Sequence, residues 1–362
     1  MIIPPKTLLN ILVIVSIISI IFFLCSCTTE DDYIPNDPRK FSWTLDTLTS
    51  PRTDQSFRDD IWGSSSVDVY TVGFVDAGGS QMWHYDGKSW KFVPLQINQG
   101  GPLTFLFSFW AIEGFSRTNI YAGGDKAPNY PEWNSLIVHY NGIEWEEIIV
   151  PDIGVVGNLA VIKQSELFGG GIGKYYLHFD GSSWVKDSIN IITPANALIH
   201  ITDFGEYNGD IFCLSDYQTE DATLDVHYFL KKNMSGWTVV DSFIIDQSHY
   251  TYEWGEHLKN LPDGYLYCFG SSELLWFNGN SWTTILNERH ILDVYGPNSN
   301  NMFAVGYPGK AFHYNGTDWY EITQLTNPTL RYTGAWFKGE EAFICGYTDG
   351  YPEKSIVWHG KK

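Results

Sequence analysis

Short stretches of apolar and polar positions, separated by turn residues, follow one another along most of the chain. One sequence motif recurs, in which a strand with aromatic residues is followed by Asp-Gly or Asn-Gly, two variable residues and a tryptophan. Its five clear copies are His84-Tyr85-Asp86-Gly87-Lys88-Ser89-Trp90, His139-Tyr140-Asn141-Gly142-Ile143-Glu144-Trp145, His178-Phe179-Asp180-Gly181-Ser182-Ser183-Trp184, Trp276-Phe277-Asn278-Gly279-Asn280-Ser281-Trp282 and His313-Tyr314-Asn315-Gly316-Thr317-Asp318-Trp319. Asp-Gly and Asn-Gly supply the positive φ values of a tight turn, so each copy predicts a β-hairpin.

The spacing of these hairpins predicts a repeat of about 46 residues, which is the length of a propeller blade. A degenerate copy lies between the third and fourth clear ones, from His227 through Gly236-Trp237. A strand ending in glycine precedes each hairpin, as in Val69-Tyr70-Thr71-Val72-Gly73, and another apolar strand comes before it, as in Asp60-Ile61-Trp62-Gly63. Each unit therefore contains four strands.

Seven glycine-terminated strands, near residues 70, 121, 168, 212, 267, 303 and 343, predict an all-β, seven-bladed β-propeller over residues 41–362. Because the poorly formed fourth unit makes the count uncertain, six and eight blades are the alternatives. The seventh unit supplies three strands, and Phe41-Ser42-Trp43-Thr44-Leu45 matches the fourth. We therefore expect the N-terminal strand to close the last blade and remove a free sheet edge.

The recurring His-Tyr-[Asp/Asn]-Gly-x-x-Trp phrase resembles the kelch-like and WD40-like propeller repeats of bacterial proteins. Gly-Gly followed by Tyr and then Trp is the kelch-like feature, although Tyr140 and Trp145 stand closer together than the kelch pair. The resemblance covers residues 41–360 and implies the fold, but no specific activity.

The N-terminus has the layout of a secretory signal. Residues 8–24 are apolar except for Asn10, Ser16 and Ser19, Lys6 precedes them, and the small residue Ser26 is placed for cleavage. A retained transmembrane anchor is the alternative, because 17 apolar residues are near the lower limit for spanning a bilayer.

Leu24-Cys25-Ser26-Cys27 resembles the lipobox of bacterial lipoproteins. The resemblance implies a signal peptide over residues 1–26, a lipid on Cys27 and an acidic tether over residues 27–40. It also implies a place in the bacterial cell envelope, anchored in the outer membrane on either the periplasmic or the cell-surface side.

Composition narrows the choice of partner. A formal net charge of −20 over 362 residues disfavours nucleic acid as a ligand, because an acidic surface repels phosphates. The 44% share of apolar residues excludes a disordered chain, and five cysteines do not form a disulfide scaffold.

Repeated residues are assigned structural roles. His84, His139, His178, His227 and His313 occupy one repeat position, so they diverge around the ring, and we expect hydrogen-bonded strand histidines and no metal. We expect the repeat tryptophans to belong to the core and Cys213, Cys268 and Cys345 to be small buried thiols. No cofactor motif and no catalytic residue set is evident in the sequence.

Two long aromatic loops are the candidate binding surface, because blade topology places both on one face. The candidate residues are Asp125, Tyr130, Trp133, His249, Tyr250, Tyr252, Glu253 and Trp254. Exposed Tyr and Trp beside carboxylates suit stacking on a sugar or anchoring a peptide. Alternatively, these aromatics fold down and pack on their own loops.

The sequence therefore predicts a lipid-anchored, non-catalytic propeller that binds a glycan or a protein outside the cytoplasm. A polysaccharide hydrolase or lyase is the alternative, and a purely structural envelope subunit is a third reading. An enzyme requires carboxylates, or a histidine with a tyrosine, that converge in one cleft with shifted pKa values.

Overall fold

The structure is a computed structural model. It describes residues 37–49, 53–76, 81–97, 101–102, 106–129, 131–163, 165–221, 223–245 and 252–362. The predicted signal peptide, Cys27 and most of the predicted tether lie outside the described residues.

The described residues form seven sheets around the ring, each with four antiparallel strands in the order inner, second, third, outer, and two further short strands extend the second sheet. Blade 1 contains β2 (Ser56–Ser65), β3 (Asp68–Val75), β4 (Met82–Tyr85) and β5 (Trp90–Phe92), and blade 2 contains β8 (Leu106–Ser116), β9 (Asn119–Asn129), β10 (Glu132–Tyr140) and β11 (Trp145–Ile148). Blade 3 contains β12 (Ala160–Ile162), β13 (Glu166–Gly169), β14 (Tyr175–Phe179) and β15 (Trp184–Ser188), and blade 4 contains β16 (Leu198–Tyr207), β17 (Asp210–Gln218), β18 (Asp225–Asn233) and β19 (Gly236–Ile244).

Blades 5 to 7 repeat the arrangement. Their strands are β20 (His257–Asn260), β21 (Leu266–Phe269), β22 (Glu273–Phe277) and β23 (Trp282–Arg289); β24 (Ile291–Asn298), β25 (Asn301–Gly306), β26 (Lys310–Tyr314) and β27 (Trp319–Glu321); and β28 (Leu330–Lys338), β29 (Glu341–Thr348), β30 (Ser355–Lys361) and β1 (Ser42–Leu48). The short strands β6 (Gln96–Ile97) and β7 (Gly101–Pro102) extend the second sheet, and a 3₁₀ turn, Pro38–Lys40, precedes β1. The seven-bladed all-β propeller is therefore confirmed.

The predicted closure by the N-terminal strand is also confirmed. All seven residues of β1 pair antiparallel with β30, from Ser42 opposite Lys361 to Leu48 opposite Ser355. The Trp43 ring covers Gly360, where an added Cβ would lie 2.7 Å from the indole. The first and last strands of the ring are thus joined by a full ladder and by side-chain packing.

The hydrophobic core is divided into seven clusters, one between each pair of adjacent blades. Inner-strand tryptophans provide close contacts, since Trp336 of blade 7 packs on Gly63 of blade 1 and Trp62 packs on Gly114 of blade 2. Cys213, Cys268 and Cys345 are buried and free, as predicted. Burial raises the pKa of all three thiols.

The Asp-Gly and Asn-Gly hairpins are confirmed, but their turns are wider than predicted. Four residues separate Tyr85 from its partner Trp90, and within this turn only Gly87 has positive φ. The Asp86 carboxylate instead accepts the N–H groups of Lys88 and Ser89 at 3.0 Å. The acidic residue therefore satisfies the turn's donors, and the glycine alone supplies the left-handed backbone.

Most repeat histidines have the predicted structural role. The Nε2 atom of each forms a hydrogen bond with the polar residue that begins the neighbouring second strand. Each imidazole ring also faces an aromatic side chain of that strand. The pairs are His84–Asp68, His139–Asn119, His178–Glu166, His313–Asn301 and His359–Glu341, at 2.7–3.2 Å. Ring centroids of His84 and Tyr70 lie 4.2 Å apart, for example.

His227 does not occupy this repeat position, so its predicted position is wrong, but it is a strand histidine as expected, with Nε2 3.3 Å from Oδ1 of Asp225. The position in blade 4 belongs to Lys231, whose Nζ lies 2.6 Å from Asp210 at the start of β17. After His227, strand β18 continues for four residues, through Lys231, before it reaches Lys232. Lys232 pairs with Trp237 near the turn between β18 and β19. The enlarged unit therefore shifts His227 along the strand.

Strand order defines two faces of the ring. The links between blades and the turns between second and third strands lie on one face, here called the upper face. The remaining turns, including the Asp-Gly and Asn-Gly turns of the repeated hairpin motif, lie on the lower face. By this strand order, the described residues of the two predicted binding loops, which follow β9 and precede β20, fall on the upper face.

Candidate functional site

A cavity of about 350 Å³, here called the channel, lies on the ring's axis. It is lined by residues of all seven inner strands or of the segments flanking them. Five inner strands carry a β-bulge at the same level, at Asp59, Trp110, Thr202, Leu292 and Thr333. A bulge re-aims the side chains that follow it. The residues after these bulges include three aspartates that reach across to the next blade.

These three aspartates form a repeated interblade contact. Asp60 accepts the N–H of Ile112 at 2.8 Å, Asp203 accepts that of Leu258 at 3.0 Å, and Asp293 accepts that of Ala335 at 2.8 Å. In each case the donor lies on the inner strand of the following blade. The carboxylates therefore join successive blades at the wall of the channel.

Burial raises the pKa of two of these carboxyl groups strongly. The pKa of Asp60 rises to about 8, because burial outweighs the opposing charge of Lys259 and is reinforced by Asp293 and Glu113. Burial raises the pKa of Asp203 to about 7, against hydrogen bonds from the N–H groups of Phe204 and Leu258. Near neutral pH these side chains therefore hold protons that exposed aspartates would have lost.

One cation crosses the channel. Lys259 of blade 5 places Nζ 3.1 Å from Oε1 of Glu113 in blade 2, and both side chains are largely buried. Burial lowers the pKa of Lys259, but Glu113, Asp293 and Asp60 together raise it well above its usual value. The ion pair connects two blades that are not neighbours in the ring.

The channel thus meets part of the requirement stated above for an enzyme, since carboxylates with raised pKa values line one cavity. Each of Asp60 and Asp203, however, has an oxygen committed to a backbone N–H of the next blade. These hydrogen bonds lower the two pKa values, so burial, reinforced at Asp60 by Asp293 and Glu113, accounts for the rise without a catalytic role.

Trp110 is the exposed aromatic residue of the channel wall. It occupies the bulge of β8 in the upper half of that strand and is 36% exposed. Its Nε1 donates to Oδ2 of Asp125 at 3.3 Å, and Ser108 donates to the other oxygen at 2.8 Å. Asp125, a predicted binding residue, is only 6% exposed. Its role in the structure is to hold the Trp110 indole through this hydrogen bond.

The rest of the first predicted loop lies farther along the same strands. Trp133, near the start of β10, is 39% exposed on the upper face. Tyr130 lies outside the described residues. The structure thus retains Trp133 as a candidate and adds Trp110, which sequence analysis missed.

The described part of the second predicted loop, from Tyr252 onward, packs against blade 4. Trp254 is 1% exposed, with its ring 4.6 Å from that of Phe243, so the prediction that it offers an exposed surface is wrong. Tyr252 is half-buried, with its ring 5.8 Å from His227. The alternative reading, in which loop aromatics fold down, is the one these two residues follow. Glu253 is exposed, whereas His249 and Tyr250 lie outside the described residues.

A polar row beside this loop was also missed. His200, Asp216 and His227 are directly opposite one another on β16, β17 and β18. The Asp216 hydrogen bond to Nδ1 of His200, at 2.8 Å, raises the pKa of that histidine. Sequence analysis placed His227 in the repeat and left His200 unassigned, so it could not bring the two together.

A second cavity, of about 720 Å³, opens on the lower face beside blades 1 and 2. Its lining includes His84, Arg117 and Lys338 with Asp68 and Asp86. His84 and Asp68 already form the repeat contact described above. No predicted binding residue lies there.

Within the described residues, no group of three or more His, Cys, Asp or Glu side chains is arranged to hold a metal ion. None of the described helices is long and apolar enough to cross a membrane. The predicted apolar segment at residues 8–24 and Cys27 both lie outside the described residues.

Comparison with known proteins supports the fold. No protein-family model matches the sequence, and no curated protein matches it. The chain is similar to the solved structure of YCF48 bound to D1 peptide, with 13% identity, a TM-score of 0.54 and coverage of 91% of this chain and 96% of that one. It is also similar to the WD40 β-propeller domain of Doa1, with 12% identity, a TM-score of 0.52 and coverage of 89% and 97%. The chain is thus a propeller of the general WD40 shape.

Proposed function

We propose that this protein is a non-catalytic binding module that takes a peptide segment of a partner protein on its upper face, at the mouth of the channel. The observation that carries the proposal is Trp110, an exposed indole held in place by Asp125 at the wall of an axial cavity. A large aromatic side chain whose rotamer is fixed in advance loses little entropy when a ligand packs on it.

A peptide is favoured over a glycan as the ligand. The propeller of similar fold, YCF48, is bound to a peptide, and propellers often serve as protein-interaction modules. This likeness is one of fold only, so the peptide assignment is a proposal for this chain. Glycan binding is the outcome that would replace it.

The test uses the full chain in detergent, with a phage-displayed peptide library and a glycan array screened in parallel. Peptides selected by the wild-type chain should bind Trp110→Ala at least about tenfold more weakly, which corresponds to about 1.4 kcal/mol. Tyr320→Ala is the matched control, because Tyr320 is 43% exposed on the outer strand of blade 6. Selection of glycans alone, or equal binding by both variants, would contradict the proposal.

We also propose that the module is lipid-anchored through Cys27 in the bacterial cell envelope. The support is the lipobox-like Leu24-Cys25-Ser26-Cys27 sequence after an apolar segment. Cys27→Ser should move the protein from the membrane to the soluble fraction, and a metabolic palmitate label should be lost. Continued membrane retention without label would indicate that residues 8–24 span the bilayer.

The hydrolase alternative has one observation in its favour, the raised pKa values of Asp60 and Asp203 in a single cavity. Release of reducing sugar from any polysaccharide bound on the array, abolished by Asp60→Asn, would favour it. Peptide selection without such release would favour the binding module.

A further inference from the structure

Arg331 lies at the upper-face end of β28, between two tyrosine rings. Its guanidinium carbon is 4.7 Å from the ring centre of Tyr307 and 5.9 Å from that of Tyr347. The two tyrosines follow the second strand of blade 6 and end that of blade 7. Cation–π contacts to both rings, with a hydrogen bond to the Tyr347 hydroxyl, restrict the guanidinium before any ligand arrives.

This cation has no acidic partner among the described residues, although the sequence has 42 Asp and Glu against 22 Lys and Arg. None of the described ion pairs includes Arg331, and its Nε is buried with no hydrogen-bond acceptor. A buried donor without a partner costs about 1–3 kcal/mol.

The nearby carboxylate of Asp349 is already used. The hydroxyl of Tyr307 donates to its Oδ2 at 3.0 Å, and the Asp349 N–H donates to the carbonyl of Thr329 at 2.7 Å. Asp349 therefore holds the Tyr307 ring against the guanidinium without neutralising it.

Beyond Tyr347 the rings continue as an apolar row. The Phe57 ring is 4.8 Å from Tyr347 and 5.9 Å from Phe74, and all three side chains are half-buried. Phe57 begins the inner strand of blade 1 and Phe74 lies near the end of the second strand, so the row stays on the upper face. A fixed cation and an apolar surface thus adjoin each other.

We propose that Arg331 binds a carboxylate of the peptide ligand while an apolar side chain of the same ligand packs on Phe57, Phe74 and Tyr347. This inference rests on the proposed peptide-binding function and adds the chemical class of ligand. An arginine can hold a carboxylate through two parallel charge-assisted hydrogen bonds, which a planar, pre-oriented guanidinium favours.

A peptide fits this surface better than an acidic sugar. Phe57 and Phe74 carry no group that can bond to hydroxyls, whereas a sugar ring presents several hydroxyls around its edge. A leucine or phenylalanine next to a carboxylate would bury its side chain on the row without losing hydrogen bonds. Binding of an acidic sugar is therefore an outcome that overturns the peptide assignment.

The probe is N-acetyl-phenylalanine, which carries a carboxylate and one aromatic side chain. The full chain in detergent is labelled with ¹⁵N-arginine, and its six arginines give a small set of Nε–H signals, of which Arg331 is identified by Arg331→Lys. The Arg331 signal should shift saturably. N-acetyl-phenylalaninamide, which is neutral, should bind at least about tenfold more weakly.

Two variants and one sugar complete the test. Arg331→Lys keeps the charge but loses the paired N–H donors of the guanidinium, so it should weaken binding of N-acetyl-phenylalanine by about tenfold or more. Arg117→Lys, on the lower face, should leave that binding unchanged. Phe57→Ala should reduce the preference for N-acetyl-phenylalanine over acetate. Equal binding of acid and amide, an unmoved Arg331 signal, or tighter binding of glucuronate would each overturn the inference.

The library peptides separate this inference from the function on which it rests. If they bind Arg331→Lys as well as wild type but lose affinity for Trp110→Ala, the carboxylate site is wrong and the binding function stands. If no peptide is selected, the function fails even where N-acetyl-phenylalanine binds at Arg331.

Discussion

At the residue scale, glycines mark where the backbone takes a conformation that other residues resist. Gly87 and Gly154 have nearly the same φ, 87° and 84°, but different surroundings. A Cβ added to Gly87 would lie 2.8 Å from that of Val67, whereas one added to Gly154 meets nothing within 4 Å. The pair separates the cost of backbone strain from the cost of a clash.

Gly87→Ala should therefore destabilise the protein more than Gly154→Ala. Both substitutions should cost about 1–2 kcal/mol from positive φ alone, and only Gly87→Ala should add a packing cost against Val67. Urea denaturation of the two variants measures the difference. A larger loss for Gly154→Ala would mean that the turn after Tyr85 relaxes freely.

The two predicted loop tryptophans should also differ in their effect on stability. Trp254 is 1% exposed and Trp133 is 39% exposed. Trp254→Ala should cost about 3–5 kcal/mol, as expected for a large aromatic residue removed from a core, while Trp133→Ala should cost much less. Thermal unfolding of both variants tests this, and equal losses would contradict the burial of Trp254.

At the element scale, the sequence allowed blades to be predicted because each hairpin repeats its turn residues and tryptophan at one spacing. The same method misplaced His227, because β18 continues for six residues beyond it, to Asn233, and Lys231 takes the repeat position. A pattern of residue types predicts the strand order, but an insertion within a strand changes which residue meets which partner.

The closing strand β1 should determine whether the ring folds cooperatively. Removing residues 1–37 leaves β1 intact, whereas removing residues 1–49 exposes the edge of β30 and takes Phe41 and Trp43 out of the core. The shorter deletion should leave the unfolding temperature within a few degrees of wild type. The longer one should lower it sharply and promote aggregation, since an open edge pairs with other chains.

A peptide corresponding to residues 38–49, added in trans, provides the control for this truncation. It should restore cooperative unfolding to the chain that begins at residue 50, as followed by circular dichroism. An equally stable chain without β1, with or without the peptide, would show that the ladder between β1 and β30 contributes little.

At the scale of the whole molecule, sequence analysis established the ring but not the chemistry of its axis. Asp60 and Asp293 stand at one position of the inner-strand pattern, so an alignment of inner strands would have placed both at the channel. It could not have shown that Lys259 meets Glu113 across the ring, because that contact depends on the radius of the assembled propeller. Arg331 gave no sequence signal, since its neighbours come from three blades.

The channel aspartates should make stability depend on pH. Burial raises the pKa of Asp60 to about 8 and that of Asp203 to about 7, against an ordinary aspartate pKa of 3.8. Between pH 4 and these values the folded state holds protons that the unfolded state has released. The free energy of unfolding therefore falls as pH rises through this range, and the penalty is complete above about pH 8.

Replacing both aspartates with asparagine should reduce this slope, and the part due to Asp59, whose pKa burial raises to about 7, should remain. Asparagine stays neutral, its side-chain oxygen can still accept the N–H of Ile112 or Leu258, and Asn158 already fills the matching place in blade 3, where it donates to Ile201 and Thr202 at 3.0 and 2.8 Å. The unfolding temperature of wild type should fall between pH 5 and pH 9. The fall should be clearly smaller in the double variant. Asp180→Asn is the control, because hydrogen bonds from Ser182 and Ser183 lower the pKa of this exposed turn residue to about 2 and it does not titrate in that range. An unchanged slope in the double variant would mean that the channel carboxyls ionise without cost, and that water or ions enter the axis freely.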